Sequence, residues 1–252
     1  NVIHAEESLR HDAQAHAALA KRVMRPARVF RRFLVDLGKR YELEPRRTRG
    51  RQLDRAGLVR AVILRDPRVL VARRMVVRTD LFLGVLVDCS SSMQADSNIE
   101  RARLFGAMLA EAGRGVPGVE VRLFGFTGSA IYDAGDADHP AVHALVAGGG
   151  NDDAAALMHV ARVALASRRR AKLLVMVSDG LPTECSVETL RWLVAELTRR
   201  HHLSCAQIAV RKLEEICFPH HVVVDDDDMD ASVRRFGGIV ARLVRAAMKR
   251  AG

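Results

Sequence analysis

A short apolar run that ends in oxygen-bearing side chains constrains the fold of this chain more than any other feature. Residues 81–87 are too few to cross a membrane, and their valine and leucine content is typical of a strand covered on both faces. Asp88, Ser90 and Ser92 follow at alternate positions. Because open α/β folds bind ligands at the carboxyl ends of their strands, these residues indicate a polar site at the edge of a parallel sheet.

A helix is predicted directly after this loop. Ser97 and Glu100 have the spacing of a capping box, in which each side chain bonds to the backbone amide of the other residue. We therefore expect a helix to begin near Ser97 and to continue over residues 98–112. Strand, polar loop and helix then form the first unit of an alternating α/β fold.

The rest of the chain repeats this alternation. Residues 172–177 form another apolar run, and Ser178, Asp179 and Gly180 follow it. Further strands are predicted at residues 119–126, 204–210 and 221–224, with an edge hairpin at 129–133. Helices are predicted at residues 141–146, 154–166, 186–199 and 230–249. This alternation predicts an α/β fold: a doubly wound, mostly parallel, Rossmann-like sheet with helices on both faces.

The N-terminal third is predicted to be an extension of that domain. Residues 5–41 carry apolar side chains at steps of three and four, a seam typical of a packed helix, and Pro26 is expected to kink or split it. The seam needs a partner surface, which is either the rest of this chain or another subunit. We place the boundary so that residues 1–79 form the helical extension and residues 80–252 form the main domain.

The second half of this extension is predicted to contain a loop, a short helix and a strand or hairpin. Residues 42–52 are interpreted as a basic loop. A short helix capped by Asp54 should follow, and residues 69–77 should form one strand or a small hairpin.

Three predicted loops, at residues 88–92, 150–153 and 179–183, should meet at one edge of the sheet because they follow neighbouring strands. They carry six oxygen donors: Asp88, Ser90, Ser92, Asn151, Asp153 and Asp179. Oxygen ligands without His or Cys suit Mg²⁺, with Mn²⁺ and Ca²⁺ as alternatives, and argue against zinc. With few carboxylates the ion keeps an open position, which an Asp or Glu of a partner protein is expected to fill.

The residues of these loops resemble the metal-ion-dependent adhesion site of von Willebrand factor type A domains. Asp88-Cys89-Ser90-Ser91-Ser92 matches the D-x-S-x-S signature of that site, and Ser178-Asp179-Gly180 matches its later D-G element. Gly148-Gly149 precedes the loop in which the family usually carries a ligating Thr, but Gly150 stands where that Thr is commonly found. The resemblance covers roughly residues 80–250. It implies the von Willebrand fold, with Asp179 as a ligand or a supporting residue.

Other segments resemble a bacterial subgroup of that family, the cobaltochelatase-type and nitric-oxide-reductase-activation-type members. Asn151-Asp152-Asp153 is similar to the N-x-D variant of this subgroup, Leu123-Phe124-Gly125-Phe126-Thr127 to its G-F-T element, and Gly50-Arg51-Gln52-Leu53-Asp54 to its pre-domain segment. The resemblance implies that Asp153 is the middle metal ligand, with Asn151 in support. It also implies a partner: a hexameric AAA+ ATPase of the MoxR or chelatase type.

Functions of different classes follow from this resemblance. The first is a non-catalytic, Mg²⁺-dependent protein-binding module, an adaptor for a MoxR-type ATPase in the assembly or activation of a client metalloenzyme. The second is a subunit of a cobalt or magnesium chelatase, although the sequence shows no long acidic segment before the domain. A metal-dependent phosphohydrolase using Asp88 is a further alternative, but Ser90 stands where that chemistry needs a second aspartate. The glycines form no Walker A motif, and the chain is expected not to be an enzyme.

Charge and composition limit the partners and the location. The net charge of +10 is interpreted as solvated arginine-rich faces, with an acidic partner, protein or nucleic acid, as the alternative. An aromatic content of 4% without basic–aromatic interleaving argues against nucleic acid. No segment has the length and apolarity of a membrane span, and no membrane partner is expected. Four cysteines without C-x-x-C spacing indicate reduced thiols and a cytoplasmic location.

Two further motifs have no assigned role. His139 and His143 are four residues apart, which suits zinc on a helix, but the sequence shows no third ligand for them. The acidic run at residues 225–228 is interpreted as a solvated loop at the start of the last helix, with a second cation site as the alternative.

Overall fold

The computed structural model describes residues 5–77, 79–180, 182–224 and 228–250. The helices and strands of this part are β1 (Ala5–Ser8), α1 (Ala13–Gly38), β2 (Lys39–Arg47), β3 (Gln52–Leu53), α2 (Leu58–Leu64), β4 (Leu70–Val77), β5 (Leu81–Asp88), α3 (Asn98–Gly113), β6 (Val119–Phe126), β7 (Ala130–Asp136), α4 (Asp153–Ala166), β8 (Ala171–Ser178), α5 (Val187–Arg200), β9 (Ser204–Ala209), β10 (His221–Val223) and α6 (Met229–Arg250). Short 3-10 turns lie at Arg55–Gly57, Ser91–Ser97 and Val142–Ala144.

Among the described residues, seven strands form the main sheet in the order β1-β7-β6-β5-β8-β9-β10. The strands β6, β5, β8, β9 and β10 run parallel, whereas β7 pairs antiparallel with β6 and β1 follows the direction of β7. The chain moves from β5 to β6 on one side and returns to β8 on the other. The loops after β5 and β8 therefore flank a crevice at the point where the strand order reverses, which is where such sheets bind ligands.

Helices cover both faces of this sheet, and every residue of β5 is therefore buried. The apolar side chains on both faces of such a strand need this cover. On one face α1, α3 and α6 pack in a single apolar cluster, within which the rings of Phe30 and Phe236 stack at 5.4 Å between centroids. On the other face α4 and α5 pack against Phe82, Leu86 and Met176. The mostly parallel α/β fold predicted from the sequence is confirmed.

The predicted helix over residues 5–41 is wrong at both ends and correct in the middle. Residues 5–8 form β1, and α1 begins only after Asp12, whose side chain accepts from the amides of Gln14 and Ala15 at 2.8 and 3.0 Å. Pro26 lies inside α1 without splitting it. The apolar seam is buried from His16 to Leu37 against α3 and α6, so its partner is the rest of this chain.

A small antiparallel sheet follows α1, with the strand order β2-β4-β3. The basic loop predicted at residues 42–52 is wrong in its first half, because β2 pairs there with β4. The predicted strand at 69–77 corresponds to β4, and the Asp54 side chain accepts from Gly57 N at 3.1 Å at the predicted start of the short helix. The boundary after residue 79 stays a prediction; before it, β1 and α1 pack on the main domain and the small sheet forms a separate unit.

Three local predictions in the main domain need correction. The capping box does not form, because Ser97 has a φ of 58° and makes no side-chain cap, and Glu100 instead pairs with Arg22 and Arg103. The helix predicted at 141–146 shortens to a 3-10 turn. The hairpin at 129–133 exists as β7, but β7 is not an edge strand because β1 pairs with its other side.

The C-terminal part agrees with the predicted order of elements. Strands β9 and β10 and the helices α5 and α6 lie within a few residues of their predicted positions. Residues 225–227 of the acidic run lie outside the described residues, and Asp228 accepts from Ala231 N at 2.7 Å at the start of α6. No helix in the described ranges has the length and apolarity that a membrane crossing requires.

Candidate functional site

Asp88 is the central carboxylate of the candidate site. It is the last residue of β5 and is fully buried. One carboxylate oxygen, Oδ1, accepts from the amide of Ser90 at 2.8 Å, and the other, Oδ2, accepts from Asn151 Nδ2 at 3.3 Å. Burial is the main cause that raises the pKa of Asp88 to about 6, and the negative charge of Asp179 adds to it.

Two serine hydroxyls connect this loop to the neighbouring strand end. Ser90 Oγ and Ser92 Oγ lie 3.0 Å apart, and Ser92 Oγ donates to Asp179 Oδ1 at 3.0 Å. Asp179 directly follows β8, and its second oxygen accepts from Asn98 Nδ2 at 3.5 Å. The aspartates predicted at the ends of β5 and β8 therefore belong to a single site.

Asp153 completes the site from the first turn of α4. The side chain is only 1% exposed, and Asp153 Oδ2 has no hydrogen-bond partner among the described residues. Burial raises the pKa of Asp153 well above its usual value, and the negative charges of Asp88, Asp152 and Asp179 raise it further. A buried, unpaired carboxylate oxygen next to two other carboxylates is costly without a compensating positive charge.

Backbone bonds hold the three loops together. Gly148 N donates to Cys89 O at 2.7 Å, and Ser91 N donates to Gly149 O at 2.8 Å. On the other side, Glu184 N donates to Asn151 O at 3.1 Å. The six residues predicted from sequence thus lie in one place, with Ser92 exposed at the surface and the other five buried.

Sequence reasoning missed three residues that shape this site. Thr183 holds Asn151, because its amide and its hydroxyl both donate to Asn151 Oδ1, at 2.8 and 2.7 Å. Asn98 contacts Asp179, and the guanidinium of Arg211 donates to the backbone carbonyl of Asp179. The only available signal was for Thr183, which lies in the predicted loop 179–183; nothing in the local sequence marks Asn98 or Arg211.

The mouth of the site is narrow and partly basic. A cavity of about 170 Å³ is lined by Ser92, Asp179, Gly180, Thr183, Arg211, Lys212 and Glu214. The Arg211 guanidinium lies 4.0 Å from Asp179 Oδ2. Two cations at the rim of an acidic site favour the approach of an anionic group from outside.

The donor set fits a hard divalent cation held partly by hydroxyls. In the part of the chain that the structure describes, no three His, Cys, Asp or Glu side chains are grouped as a metal site on their own. Two serine hydroxyls stand beside the carboxylates here, and neutral oxygens of this kind also coordinate Mg²⁺ and Ca²⁺. The unpaired Asp153 Oδ2 is the observation that favours a cation, because a positive charge would satisfy it.

The histidine pair noted in the sequence has two histidine neighbours in the structure. The ring of His11 lies 5.8 Å from that of His139, 6.4 Å from that of His143 and 6.1 Å from that of His16. Within the described residues these imidazoles are not arranged as a group of three that could hold a metal. They instead connect the start of α1 with the segment after β7.

The chain is similar in fold to solved structures of low sequence identity. No protein-family model matches the sequence, and no curated protein matches it. The D319A mutant of the PilB minor pilin from Streptococcus sanguinis gives a TM-score of 0.53 at 7% identity, covering 65% of this chain and 62% of that one. A von Willebrand factor type A structure from Catenulispora acidiphila gives 0.47 at 12% identity, covering 79% and 49%. The vWF domain of the pili tip protein Mfa5 from Porphyromonas gingivalis gives 0.37 at 21% identity, covering 43% and 40%.

This chain spans less than two thirds of the length of each of those three structures. At these identities the likeness concerns the fold alone, and it agrees with the strand order and the helical layers described above. The molecule is a mostly parallel α/β domain with an N-terminal helix packed on one face of its sheet.

Proposed function

We propose that this chain is a non-catalytic, Mg²⁺-dependent protein-binding module. The observation that carries the proposal is the buried Asp153 Oδ2, which has no hydrogen-bond partner among the described residues and lies beside Asp88 and Asp179. Such a group is stabilised by a cation, and the neighbouring hydroxyls supply neutral oxygens. Mn²⁺ and Ca²⁺ are the alternative ions for the same donors.

In this proposal each residue of the site has a defined part. Asp88, Ser90, Ser92, Asp153 and Asp179 hold the ion, and Asn151 supports Asp88 because its own oxygen is already bonded by Thr183. The bound ion supplies positive charge at the sheet edge, where a carboxylate of a partner protein binds. Ser92 is the exposed member of the set, so the partner approaches from its side. Arg211 and Lys212 at the rim attract the same acidic group.

The partner class rests on the resemblance of the Asn151-Asp152-Asp153 and Gly50-Arg51-Gln52-Leu53-Asp54 segments to the chelatase and nitric-oxide-reductase-activation subgroup. We propose that the chain is an adaptor for a MoxR-type AAA+ ATPase that assembles or activates a client metalloenzyme. The same segments support a chelatase subunit as the second candidate. The partner assay below separates these two functions.

The metal part of the proposal is tested by thermal unfolding with Mg²⁺ and with a chelator. We expect Mg²⁺ to raise the melting temperature of the wild-type chain and to have no effect on Asp153→Asn. Asp152→Asn is the matched control, because it removes one charge at the next residue and keeps an acceptor for Ala155 N at the start of α4. Equal Mg²⁺ effects on the wild type and on Asp153→Asn would refute the metal site.

The partner part is tested by co-purification with a MoxR-type ATPase from the same cell. Binding should require Mg²⁺ and should be lost in Asp88→Ala but kept in Asp152→Asn. Binding that persists in chelator contradicts the proposed mode of recognition. Metal insertion into a porphyrin, in the presence of the ATPase and a porphyrin-binding subunit, would instead identify the chelatase function.

A further inference from the structure

Residues 39–77, which include the small sheet and α2, carry most of the excess charge of the molecule. They contain twelve Lys and Arg against four Asp and Glu, a net charge of +8, whereas the whole chain carries +10. The rest of the chain is therefore close to neutral. The interpretation of the net charge as solvated arginine-rich faces stays a prediction, and the charge count adds that most of the excess is concentrated on one small unit.

The helix α2 in this unit has an unusual exposure. Val59, Val62, Ile63 and Leu64 are 69, 79, 72 and 59% exposed, and no residue of α2 is buried. The main contact of α2 with another element is with the turn just before it. Burial of aliphatic side chains lowers the free energy of the system. A helix that buries none of its exposed aliphatic side chains within its own chain is therefore suited to bury them against another surface.

Basic side chains surround this apolar surface. Arg55, Arg60 and Arg65 are exposed on α2 or at its ends, and Leu53 on the adjacent strand is 51% exposed. We call the exposed aliphatic residues of α2 together with these three arginines the α2 patch. The α2 patch consists of aliphatic and arginine side chains and contains no aromatic residue. This composition distinguishes between the partners that it could bind.

A second copy of this chain does not suit the α2 patch, because two units of net charge +8 would repel each other. A nucleic acid would bind the arginines but would leave the four aliphatic side chains in water. Protein interfaces are enriched in aromatic residues at their centre, whereas α2 has none and the exposed Tyr41 of the small sheet lies on β2. An anionic lipid surface satisfies both components, because its headgroups bind arginine and its acyl boundary accepts aliphatic side chains.

We propose that the α2 patch binds the surface of anionic membranes. The four aliphatic side chains of α2 enter the acyl boundary, and the arginines bind lipid phosphates. This binding requires no membrane-spanning helix, so it is compatible with the absence of such a helix among the described residues. It differs from the expectation of no membrane partner, which rested on the lack of a membrane span.

The α2 patch and the candidate metal site are built from different elements of the chain. Strand β4 of the small sheet ends at Val77, and β5 begins at Leu81. The candidate metal site lies at the carboxyl end of β5, at Asp88, and shares no residue with the α2 patch. The lipid proposal does not depend on the proposed function.

The test is sedimentation of the whole chain with vesicles at low salt. One set of vesicles contains roughly three parts phosphatidylcholine to one part phosphatidylglycerol, and the other contains phosphatidylcholine alone. We expect binding to the anionic vesicles and at least tenfold weaker binding to the neutral ones. Equal binding to both sets, or binding to neither, would overturn the proposal.

Two variants separate insertion from simple charge attraction. Ile63→Asp should lower the affinity for anionic vesicles more than tenfold, and Val146→Asp is its control because Val146 is also exposed, at 70%, but lies in the main domain. Arg60→Glu changes the charge by two units and should lower the affinity roughly 20- to 30-fold. Arg168→Glu makes the same change at an exposed site outside the small sheet and should have a much smaller effect.

All four substitutions are at exposed positions, so unchanged circular dichroism and unfolding midpoints are expected for them. If Ile63→Asp binds the anionic vesicles as the wild type does, the apolar part of the proposal is wrong. If Arg168→Glu weakens binding as strongly as Arg60→Glu, binding reflects total charge and the α2 patch is not the site. A dimer in solution that Ile63→Asp dissolves, without vesicle binding by the wild type, would assign the patch to a second copy instead.

Discussion

Asp153 is the residue whose buried, unpaired oxygen most directly supports the proposed cation site. Its buried, unpaired oxygen beside two carboxylates destabilises the fold when no cation is bound. In chelator, Asp153→Asn should therefore be more stable than the wild type, by about 1–3 kcal/mol, the usual cost of an unsatisfied buried polar group. Urea unfolding of both proteins in chelator and in Mg²⁺ measures this difference. A variant that is less stable than the wild type in chelator would show that Asp153 has an unrecognised partner.

Thr183 gives a second prediction at the scale of one residue. Thr183→Val keeps the shape of the side chain and the backbone bond to Asn151 but removes the hydroxyl that donates to Asn151 Oδ1. Because supporting hydrogen bonds orient metal ligands, we expect about tenfold weaker Mg²⁺ binding, measured by calorimetry. Thr198→Val removes a hydroxyl bonded to Val194 O on α5 and is the matched control. An unchanged Mg²⁺ affinity in Thr183→Val would contradict the supporting role of Asn151.

The site residues that sequence predicts are those whose position depends on local structure. Asp88 and Asp179 each follow a buried apolar run, so their places at the sheet edge depend only on the strand and the strand direction. Thr183, Asn98 and Arg211 reach the site from a loop, from α3 and from the segment after β9. Their proximity is a property of the tertiary fold, and periodicity and motif spacing contain no information about it.

At the scale of elements, the histidines between α1 and the segment after β7 predict an acid-sensitive contact. Burial lowers the pKa of His143 below 6.5, partly offset by Asp12 and reinforced by His11, His16 and Arg103. The unfolded chain then binds this proton more readily than the folded chain. The contribution of His143 to stability is complete above about pH 6.5 and is lost as the pH falls below that value.

His143→Gln should therefore reduce the loss of stability between about pH 7.5 and pH 5.5. Chemical unfolding across this range, for wild type and variant, measures the effect. His139→Gln is the control, because that side chain is 75% exposed. If His143→Gln loses as much stability as the wild type over the range, the imidazole does not titrate differently in the folded chain.

The sequence predicts a helix or strand correctly where its periodic apolar residues form one face that packs against the rest of the chain. The seam of α1 is visible from His16 to Leu37 because that stripe packs on α3 and α6. Strand β1 has the sequence Ala-Glu-Glu-Ser and forms a strand only because β7 offers it a free edge. Likewise β2 is polar and depends on its pairing with β4. Both strands exist through long-range hydrogen bonds, which local propensity does not report.

At the scale of the whole molecule, the two proposed surfaces lie on different elements and differ in charge. The candidate metal site is a cluster of carboxylates at the carboxyl end of β5, whereas the basic small sheet precedes β5 in the chain. Because the two surfaces share no residue and no element, we expect a substitution in one of them to leave the other unchanged.

If the two surfaces are independent, each variant should lose one property and keep the other. Asp153→Asn should lose the Mg²⁺-dependent rise in melting temperature and bind anionic vesicles as the wild type does. Ile63→Asp should lose vesicle binding and keep the Mg²⁺ effect. Both quantities are measured on the same preparations, with Asp152→Asn and Val146→Asp as the controls for each surface. A loss of both properties in either variant would mean that the two surfaces are coupled through the fold.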